Sequence, residues 1–254
     1  MTKQIADFKL VEKQDHGRSV LLRLRSEQLL PDIAPGQFVQ VRVDGSPSTY
    51  LRRPISIHDV DFQRKEISLL VQQVGEGTLH LAAAKAGDII NMVLPLGNGF
   101  SLPEKSEKVL LVGGGIGIAP LYYFAKVLNE RGIRPTLLLG GKSKSDLIRL
   151  ADYQRFGETF VTTEDGSLGE KGFVTQHSVW QKQSFDKIYV CGPKPMMKAV
   201  AKLASEKNVW CEVSLENLMA CGLGACLCCV EDTVDGHVCV CKEGPVFNTR
   251  RLKW

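Results

Sequence analysis

Six of the eight cysteines lie in one segment near the C-terminus, between positions 221 and 241. Four of them, Cys221, Cys226, Cys229 and Cys241, follow a C-x4-C-x2-C spacing with a fourth cysteine further along, which is typical of thiolate ligands to a 2Fe-2S cluster. The glycines and the alanine inside this loop leave backbone N–H groups accessible to sulfur. The pattern therefore predicts a 2Fe-2S site held by these four thiolates.

The fourth predicted ligand follows a hairpin signal. Val230–Thr233 and His237–Cys241 have the composition of two short strands, and the Asp235-Gly236 pair between them is typical of a tight turn. Cys228 and Cys239 remain outside the ligand set. We interpret them as small buried or half-buried thiols, with replacement of a neighbouring ligand as the alternative.

Two other interpretations fit clustered cysteines. Four thiolates also suit a structural zinc ion, but the C-x4-C-x2-C loop and its small residues favour the iron–sulfur cluster. Structural disulfides are disfavoured, because a bridge between the vicinal Cys228 and Cys229 is strained and no secretory leader is predicted.

Composition narrows the class of protein. With 254 residues, 44% hydrophobic residues and a formal net charge of +4, the chain is predicted to be globular, with room for two domains. The small charge indicates neither nucleic acid nor an anionic membrane as a partner. No apolar run approaches the length of a membrane span, and the first residues lead directly into a strand-like segment. We therefore expect a cytoplasmic protein, in which cysteines stay reduced.

Two regions with different patterns precede the cysteine segment. Up to about residue 100, short strands such as Ser19–Leu24, Gln37–Arg42 and Glu66–Val71 alternate with Gly and Pro turns, which predicts a small antiparallel barrel. From Lys108, an apolar strand, a glycine turn and a helix to about Glu130 predict a parallel α/β domain. Its later strands are expected at Thr136–Gly140 and Lys187–Cys191. We predict three domains, at residues 1–102, 103–212 and 213–254.

The barrel region carries two candidate anion-binding stretches. Arg53-Pro54-Ile55-Ser56 places a guanidinium and a hydroxyl on a strand that Pro54 keeps out of a central ladder position, with an ordinary turn as the alternative. Gly77-Thr78, before a short helix from Leu79, presents N–H groups and a hydroxyl of the kind that bind phosphate. A plain threonine cap is the alternative.

The α/β region carries two more stretches, each at the carboxyl end of a strand. The Gly113–Gly117 turn permits close approach of a pyrophosphate, but it departs from the G-x-G-x-x-G spacing, and a tight strand-to-helix turn is the alternative. Cys191–Met197 lies where ligands of open α/β sheets bind. Lys142 and Lys144 stand where an acid would read a ribose 2′-hydroxyl, so the residues alone do not separate NAD from NADP.

In their order along the chain, these motifs resemble those of the ferredoxin reductase-like flavoproteins, and the resemblance covers essentially the whole sequence. There, R-P-x-S binds flavin, and a glycine turn with C-G-P-x-P-M-M binds the nicotinamide nucleotide. The loop C-G-x-G-A-C-x-x-C and the closing Cys241–Phe247 are most similar to the electron-transfer subunits of NAD-dependent, type B dihydroorotate dehydrogenases. The resemblance implies an N-terminal antiparallel FAD-binding β barrel, a Rossmann-like parallel-sheet nucleotide domain and a small C-terminal 2Fe-2S subdomain.

The resemblance also assigns residues to each group. The residues implied for FAD are Arg53, Pro54, Ile55, Ser56, Leu70, Val71, Gln72, Gly77 and Thr78. Those implied for NAD, as the substrate, are Gly114, Gly115, Cys191 and Gly192, and the four cysteines named above would hold the cluster. Cys228 departs from the family pattern, which has glycine or another small residue there. No catalytic residue beyond these binding groups is expected.

In the resembling enzymes, a separate FMN-containing catalytic subunit oxidises dihydroorotate, and electrons pass through the cluster and FAD to NAD+, in de novo pyrimidine (UMP) biosynthesis. The implied assembly is a heterotetramer of two plus two. One alternative is a subunit of a related NAD(P)H oxidoreductase, of the sulfhydrogenase or ferredoxin:NADP type, whose members tend to carry an acidic residue where Cys221 stands. A non-catalytic metal- or flavin-binding regulator is the other, and it fits poorly with three separate binding signals in one chain.

Overall fold

The computed structural model describes residues 3–254. Met1 and Thr2 lie outside the described residues. They are the first residues of the segment that is not expected to be a secretory leader. The chain divides into two compact units. The first comprises the chain up to Gly99, Asn217–Glu231 and His237–Pro245, and the second comprises Phe100–Glu216, Asp232–Gly236 and Val246–Trp254. These units are defined by contacts within the chain, whereas the three predicted domains are defined by the cofactor that each binds. The three-domain division therefore stays a prediction.

The first unit contains a closed antiparallel barrel of six strands, which confirms the predicted barrel. The strands are β1 (Gln4–His16), β2 (Ser19–Ser26), β3 (Phe38–Val41), β4 (Arg53–Asp61), β5 (Glu66–Gln72) and β6 (Ile89–Leu96). They follow the order β1-β2-β5-β4-β3-β6, and β6 pairs with β1 to close the barrel. Closure leaves no long strand edge exposed. One helix, α1 (Glu76–Ala83), follows β5.

Burial alternates with period two in the second half of β2. In β2, Leu22 and Leu24 are fully buried, whereas Arg23 and Arg25 reach solvent. Ile57 and Met92 are likewise fully buried on other strands. Each such side chain contributes roughly 1.5–3 kcal/mol of transfer free energy, so the barrel interior is the main source of stability in this unit.

The second unit is built on a seven-stranded sheet. The later strands are β7 (Val109–Gly114), β8 (Thr136–Gly141), β9 (Thr159–Thr163), β10 (Glu170–Lys171), β11 (Lys187–Cys191), β12 (Trp210–Ser214), β13 (Val230–Thr233), β14 (Gly236–Cys239) and β15 (Val246–Asn248). The sheet has the order β10-β9-β8-β7-β11-β12-β15 and is parallel except for β15, which confirms the Rossmann-like α/β prediction. β13 and β14 form a separate hairpin.

Four α-helices belong to the same unit as this sheet, namely α2 (Ala119–Glu130), α3 (Leu150–Tyr153), α4 (Val179–Lys182) and α5 (Lys194–Glu206). The last helix, α6 (Val240–Glu243), belongs to the first unit. Val109–Val112 in β7 is at most 2% exposed, as expected for a central parallel strand with both faces covered. Among residues 3–254, no helix is both long and apolar enough to cross a membrane.

Local structure differs from expectation at two helix starts. α1 begins at Glu76 rather than Leu79, because the Thr78 hydroxyl accepts hydrogen bonds from the N–H groups of Val74 (3.0 Å) and Gly75 (3.1 Å). After β7, a 3₁₀ turn over Gly115–Ile118 precedes α2, so the regular helix starts later than the glycine turn suggested.

The C-terminal hairpin also differs from expectation. β14 ends at Cys239, and Cys241 lies on the helical turn α6 rather than on the strand predicted to reach it. The chain turns there because Val240 N donates to the Cys229 carbonyl (2.9 Å) and Gly244 N closes onto the Val240 carbonyl (3.0 Å). These two bonds compete with continuation of the strand ladder.

Candidate functional site

The ladder between two neighbouring barrel strands, β4 and β5, ends where the sequence predicts flavin binding. The ladder between β4 and β5 runs from Asp61 opposite Glu66 to Ile57 opposite Leu69. Arg53–Ser56 lies beyond the end of that ladder and pairs only with β3, while Leu70–Gln72 continues beside β2. The two predicted flavin stretches therefore flank one gap between neighbouring strands. Pro54 is compatible with this place because its missing N–H faces no partner strand on that side.

Arg53 and Gly77 meet although 23 residues separate them in the sequence. The Arg53 Nε lies 2.9 Å from the point that a Cβ on residue 77 would occupy, so glycine leaves room for the guanidinium. The Arg53 Nη1 donates to the Leu51 carbonyl at 2.9 Å. A guanidinium beside the first turn of α1 is positively charged and rich in donors, which suits a pyrophosphate.

The other predicted flavin residues contribute in different ways. The Thr78 hydroxyl donates to the Gly75 carbonyl (2.9 Å) and caps α1, as the plainer interpretation expected. Leu70 and Val71 are buried, at 3% and 0% exposure, on opposite faces of β5. Ile55, Ser56 and Gln72 are half-buried and lie along the gap.

The predicted nucleotide residues come together at the carboxyl ends of β7 and β11. These strands are neighbours, with Cys191 opposite Gly113. A Cβ on Gly117 would lie 2.5 Å from the Cys191 carbonyl and from the Gly192 Cα, so the glycine turn packs directly on the second stretch. Gly115 has φ of +54° and nothing within 4 Å of its would-be Cβ, so its backbone faces open space. The turn thus leaves open space for a ligand beside Gly115, which is half-buried.

Cys191 packs against Gly117 and is itself 0% exposed. Its side chain is fully buried, and burial followed by the charge of Glu216 raises the pKa of the thiol well above its usual value. The Cys191 Sγ lies 4.0 Å from Glu216 Oε1. A neutral thiol in such surroundings is chemically inert.

Asp146, on the turn that follows β8, was not among the residues predicted from the sequence. Its carboxylate accepts hydrogen bonds from Lys142 N (2.9 Å) and Ser143 N (3.1 Å) and so holds the turn after the strand. The Ser143-x-x-Asp146 spacing, a capping pattern, was the available signal. Lys142 and Lys144 are exposed on this turn.

The four predicted ligand cysteines gather in the first unit as two pairs. Cys226 lies close enough to Cys221 to lower the pKa of its thiol, and Cys229 lies close enough to Cys241 to raise the pKa of that thiol. Cys241 N also donates to Cys229 Sγ at 3.4 Å. Among residues 3–254, no three Cys, His, Asp or Glu side chains converge on one point as ligands of a single ion would. A cluster with two irons and four thiolates calls for pairs of this kind.

Backbone donors surround these sulfurs. Leu223 N donates to Cys221 Sγ (3.3 Å) and Gly224 N to Cys241 Sγ (3.1 Å). The bond from Leu223, with others from Cys226 and Ala225, lowers the pKa of Cys221 to about 6. Burial and then the Cys229 thiol raise the pKa of Cys241 to about 12. N–H groups aimed at sulfur are the surroundings that a thiolate-bound iron–sulfur cluster needs, so the residues present fit that group.

The two cysteines left out of the ligand set differ from each other. Cys228 is exposed, so its interpretation as a buried or half-buried thiol is wrong, and its Sγ lies 3.7 Å from the Leu218 carbonyl. Cys239 is half-buried, 3.8 Å from the Gly224 carbonyl, and burial followed by the charges of Cys229, Cys226 and Cys221 raises its pKa. All eight cysteines are free, so the structure contains no disulfide.

Family models match two parts of the chain. Residues 216–253 match the iron–sulfur cluster binding domain of dihydroorotate dehydrogenase B, and residues 111–202 match the oxidoreductase NAD-binding domain. With a barrel before them, these parts define an oxidoreductase of the ferredoxin reductase-like class, as predicted.

Curated relatives specify the family within this class. The chain is 43% identical over 221 residues, 84% of each chain, to the dihydroorotate dehydrogenase B (NAD(+)) electron transfer subunit of Fusobacterium nucleatum. It is 40% identical over 254 residues, 97% of each chain, to the same subunit of Shouchella clausii. The chain belongs to the family of dihydroorotate dehydrogenase B electron transfer subunits, which confirms the resemblance found in the sequence.

Solved structures agree on the fold. A chain from the structure of an NADH-dependent reduced ferredoxin-NADP oxidoreductase, described in connection with flavin-based electron bifurcation, matches with a TM-score of 0.88 and 33% identity, over 97% of this chain and 90% of that one. The ferredoxin reductase of carbazole 1,9a-dioxygenase matches with a TM-score of 0.70 and 20% identity, over 82% and 67%. The second likeness concerns the fold alone.

Proposed function

We propose that this chain is the electron transfer subunit of a dihydroorotate dehydrogenase of type B, which passes electrons from a catalytic subunit to NAD+. The observation that carries the proposal is the pairing of Cys221 with Cys226 and of Cys229 with Cys241 in the unit that also holds the parted barrel strands. Relatives at about 40% identity over most of the chain share this named role, which supports it.

The chain's own residues bind and orient the groups that react. The four paired cysteines hold a 2Fe-2S cluster, and the gap between Arg53–Ser56 and Leu70–Gln72 binds FAD, with Arg53 on its phosphates beside Gly77 and Thr78. Gly114, Gly115, Cys191 and Gly192 form the NAD site. When bound, the cluster supplies one-electron transfer and the flavin couples it to two-electron hydride transfer.

The finer parts of the proposal concern the partner and its setting. The catalytic subunit contains FMN and oxidises dihydroorotate, in a heterotetramer of two plus two. The complex works in the cytoplasm in de novo pyrimidine (UMP) biosynthesis. The three segments 1–102, 103–212 and 213–254 serve as the FAD, NAD and cluster domains.

Co-expression with an FMN-containing dihydroorotate dehydrogenase subunit from the same genome tests the proposal. We expect a stable complex of two plus two by native mass spectrometry, with FAD and two irons per copy of this chain. It should reduce NAD+ with dihydroorotate, whereas the catalytic subunit alone should not. Failure of the two chains to associate, or NAD+ reduction without this chain, would overturn the assignment.

A second candidate is a subunit of a related NAD(P)H oxidoreductase of the ferredoxin:NADP type. It is favoured by the 33% identity to a chain of such an enzyme and by the exposed Lys142 and Lys144, which suit a 2′-phosphate. The first proposal is preferred because the curated relatives are more similar. Under the second candidate, the purified chain would exchange electrons between ferredoxin and NADP(H) and ignore dihydroorotate in any complex.

A further inference from the structure

On the barrel strand β3, both polar side-chain atoms of one buried residue lack a hydrogen-bond partner within the described chain. Gln40 lies on β3 and is 0% exposed. Neither its Nε2 nor its Oε1 is within hydrogen-bond reach of another group in the described chain. A buried amide without partners is costly, so such a group calls for an explanation. Gln37, just before the same strand, shows the usual situation, since its Nε2 donates to the Gly97 carbonyl (2.7 Å) and its Oε1 accepts from Ala34 N (2.8 Å).

The Gln40 side chain points at the cluster loop. A Cβ on Gly222 would lie 2.8 Å from Gln40 Cγ and 3.1 Å from Gln40 Nε2. Gly222 directly follows Cys221 and has φ of +69°. Position 222 therefore favours glycine for two reasons: its backbone conformation, and the space that a missing side chain leaves for the Gln40 amide.

Gln40 also lies beside the flavin strand. It is opposite Pro54 in the β3–β4 ladder, and its carbonyl accepts from Arg52 Nη1 at 3.2 Å. Gln40, Pro54 and Gly222 all belong to the first unit. Gln40 thus joins the strand of the flavin motif to the loop that carries the first ligand cysteine.

We propose that the Gln40 amide donates an N–H hydrogen bond to a sulfur of the cluster's ligand shell beside Gly222, and that this bond makes Gln40 a positioning residue that raises the reduction potential of the cluster. The inference rests on the proposed cluster site. The acceptor is a sulfur, because thiolates and sulfides are the anionic acceptors that the cluster adds next to Gly222, where the chain alone offers none. An N–H donor stabilises the extra negative charge of the reduced state more than the oxidised state.

The variant Gln40→Leu tests this by removing the donor while keeping a side chain of similar bulk. In the protein purified with its cofactors, we expect unchanged FAD and iron content and a reduction equilibrium constant of the cluster lowered about tenfold, which is 59 mV for a one-electron couple. The potential is read by dye-mediated titration followed by the EPR signal of the reduced cluster. Leu96→Met is the matched control, because Leu96 Cδ1 lies 3.2 Å from the same point on Gly222 and brings no polar group.

A second measurement detects the proposed hydrogen bond in the wild-type protein. In wild-type protein labelled with ¹⁵N in glutamine side chains, we expect a nitrogen coupling to the reduced cluster in pulsed EPR, and Gln40→Leu should abolish it. Absence of this coupling, a shift of equal size in Leu96→Met, or a shift of the flavin potential alone would overturn the inference. These outcomes leave the cluster present, whereas wild-type protein without the EPR signal of a 2Fe-2S cluster would overturn the proposed function instead.

Discussion

The candidate sites of the two compact units differ in the kind of chemical group that forms them. In the first unit, side chains supply the binding groups, namely the Arg53 guanidinium beside Gly77 and the paired thiols of the C-terminal loop. In the second unit, glycine backbone supplies them, at Gly115 facing open space and at Gly117 packed on Cys191-Gly192.

Cysteine shows the contrast within one residue type. Cys191 in the second unit is a buried thiol whose pKa is raised, first by burial. In the first unit, backbone N–H groups, that of Leu223 foremost, lower the pKa of Cys221 to about 6. Hydrogen-bond donors thus favour the thiolate at Cys221, whereas burial keeps the Cys191 thiol neutral. It follows that removing a side chain should damage the first unit's sites, whereas adding one should damage the second's.

The largest effect is expected from the ligand cysteines. Replacing Cys221, Cys226, Cys229 or Cys241 by Ala should remove the cluster, because each leaves one iron with a single thiolate. Cys228→Ala, Cys239→Ala and Cys211→Ala serve as controls and should keep two irons per chain. Iron analysis and visible absorption of anaerobically purified protein measure this. Loss of iron in Cys239→Ala would instead make Cys239 a ligand.

Arg53→Ala should have the next largest effect. Loss of a charge-assisted contact to the FAD phosphates costs about 2 kcal/mol, or roughly thirtyfold in affinity. FAD release on dilution, followed by flavin fluorescence, gives the dissociation constant. Arg64→Ala is the control, since Arg64 is on the same barrel, is 66% exposed and faces Asp61. Equal FAD retention in both variants would show that Arg53 does not contact the FAD phosphates.

In the second unit, the test adds a side chain. Gly115→Asn should weaken NADH binding about tenfold, or ~1.4 kcal/mol, because the new group enters the space that the nucleotide needs. Asn is chosen because it tolerates positive φ. Gly132→Asn is the matched control, with φ of +78° and equally open space in the turn after α2. Stopped-flow reduction of the flavin by NADH measures the effect, and FAD and iron content should stay unchanged. Equal NADH affinity in the two variants would remove the glycine turn from the site.

Most of the architecture was predictable because it depends on local periodicity. Alternating burial in strands such as β2 and the fully buried run Val109–Val112 have direct sequence signatures. The ligand spacing from Cys221 to Cys229 is local as well, and the structure brings these residues together with Cys241. The assignment of site residues to individual cofactors stays a prediction.

The features that sequence reasoning missed depend on contacts between distant segments. A lone glutamine in the apolar strand Phe38–Val41 carries no signal that it will face Gly222. The end of the β4–β5 ladder at Ile57 is likewise invisible until register is known. The same holds for Cys241, whose helical turn depends on a bond from Val240 N to the Cys229 carbonyl.

The smallest effect is expected from replacing two lysines of the second unit that could contact the nucleotide. Lys142 and Lys144 are exposed on the turn that Asp146 holds, and exposed charges contribute little, about 0.7 kcal/mol for the pair. The double variant Lys142→Ala, Lys144→Ala should therefore weaken NADPH binding about threefold and leave NADH binding unchanged, since only NADPH carries a 2′-phosphate. The difference should vanish at high salt, where exposed charges are screened.

Titration of both nucleotides at low and high ionic strength measures this effect. Lys126→Ala, on α2, controls for general loss of positive charge. If NADH weakens as much as NADPH, the lysines act on a group that both nucleotides share, such as the pyrophosphate. The second unit would then bind its ligand with side chains after all, and the contrast with the first unit would hold for the glycine turn but not for the unit as a whole.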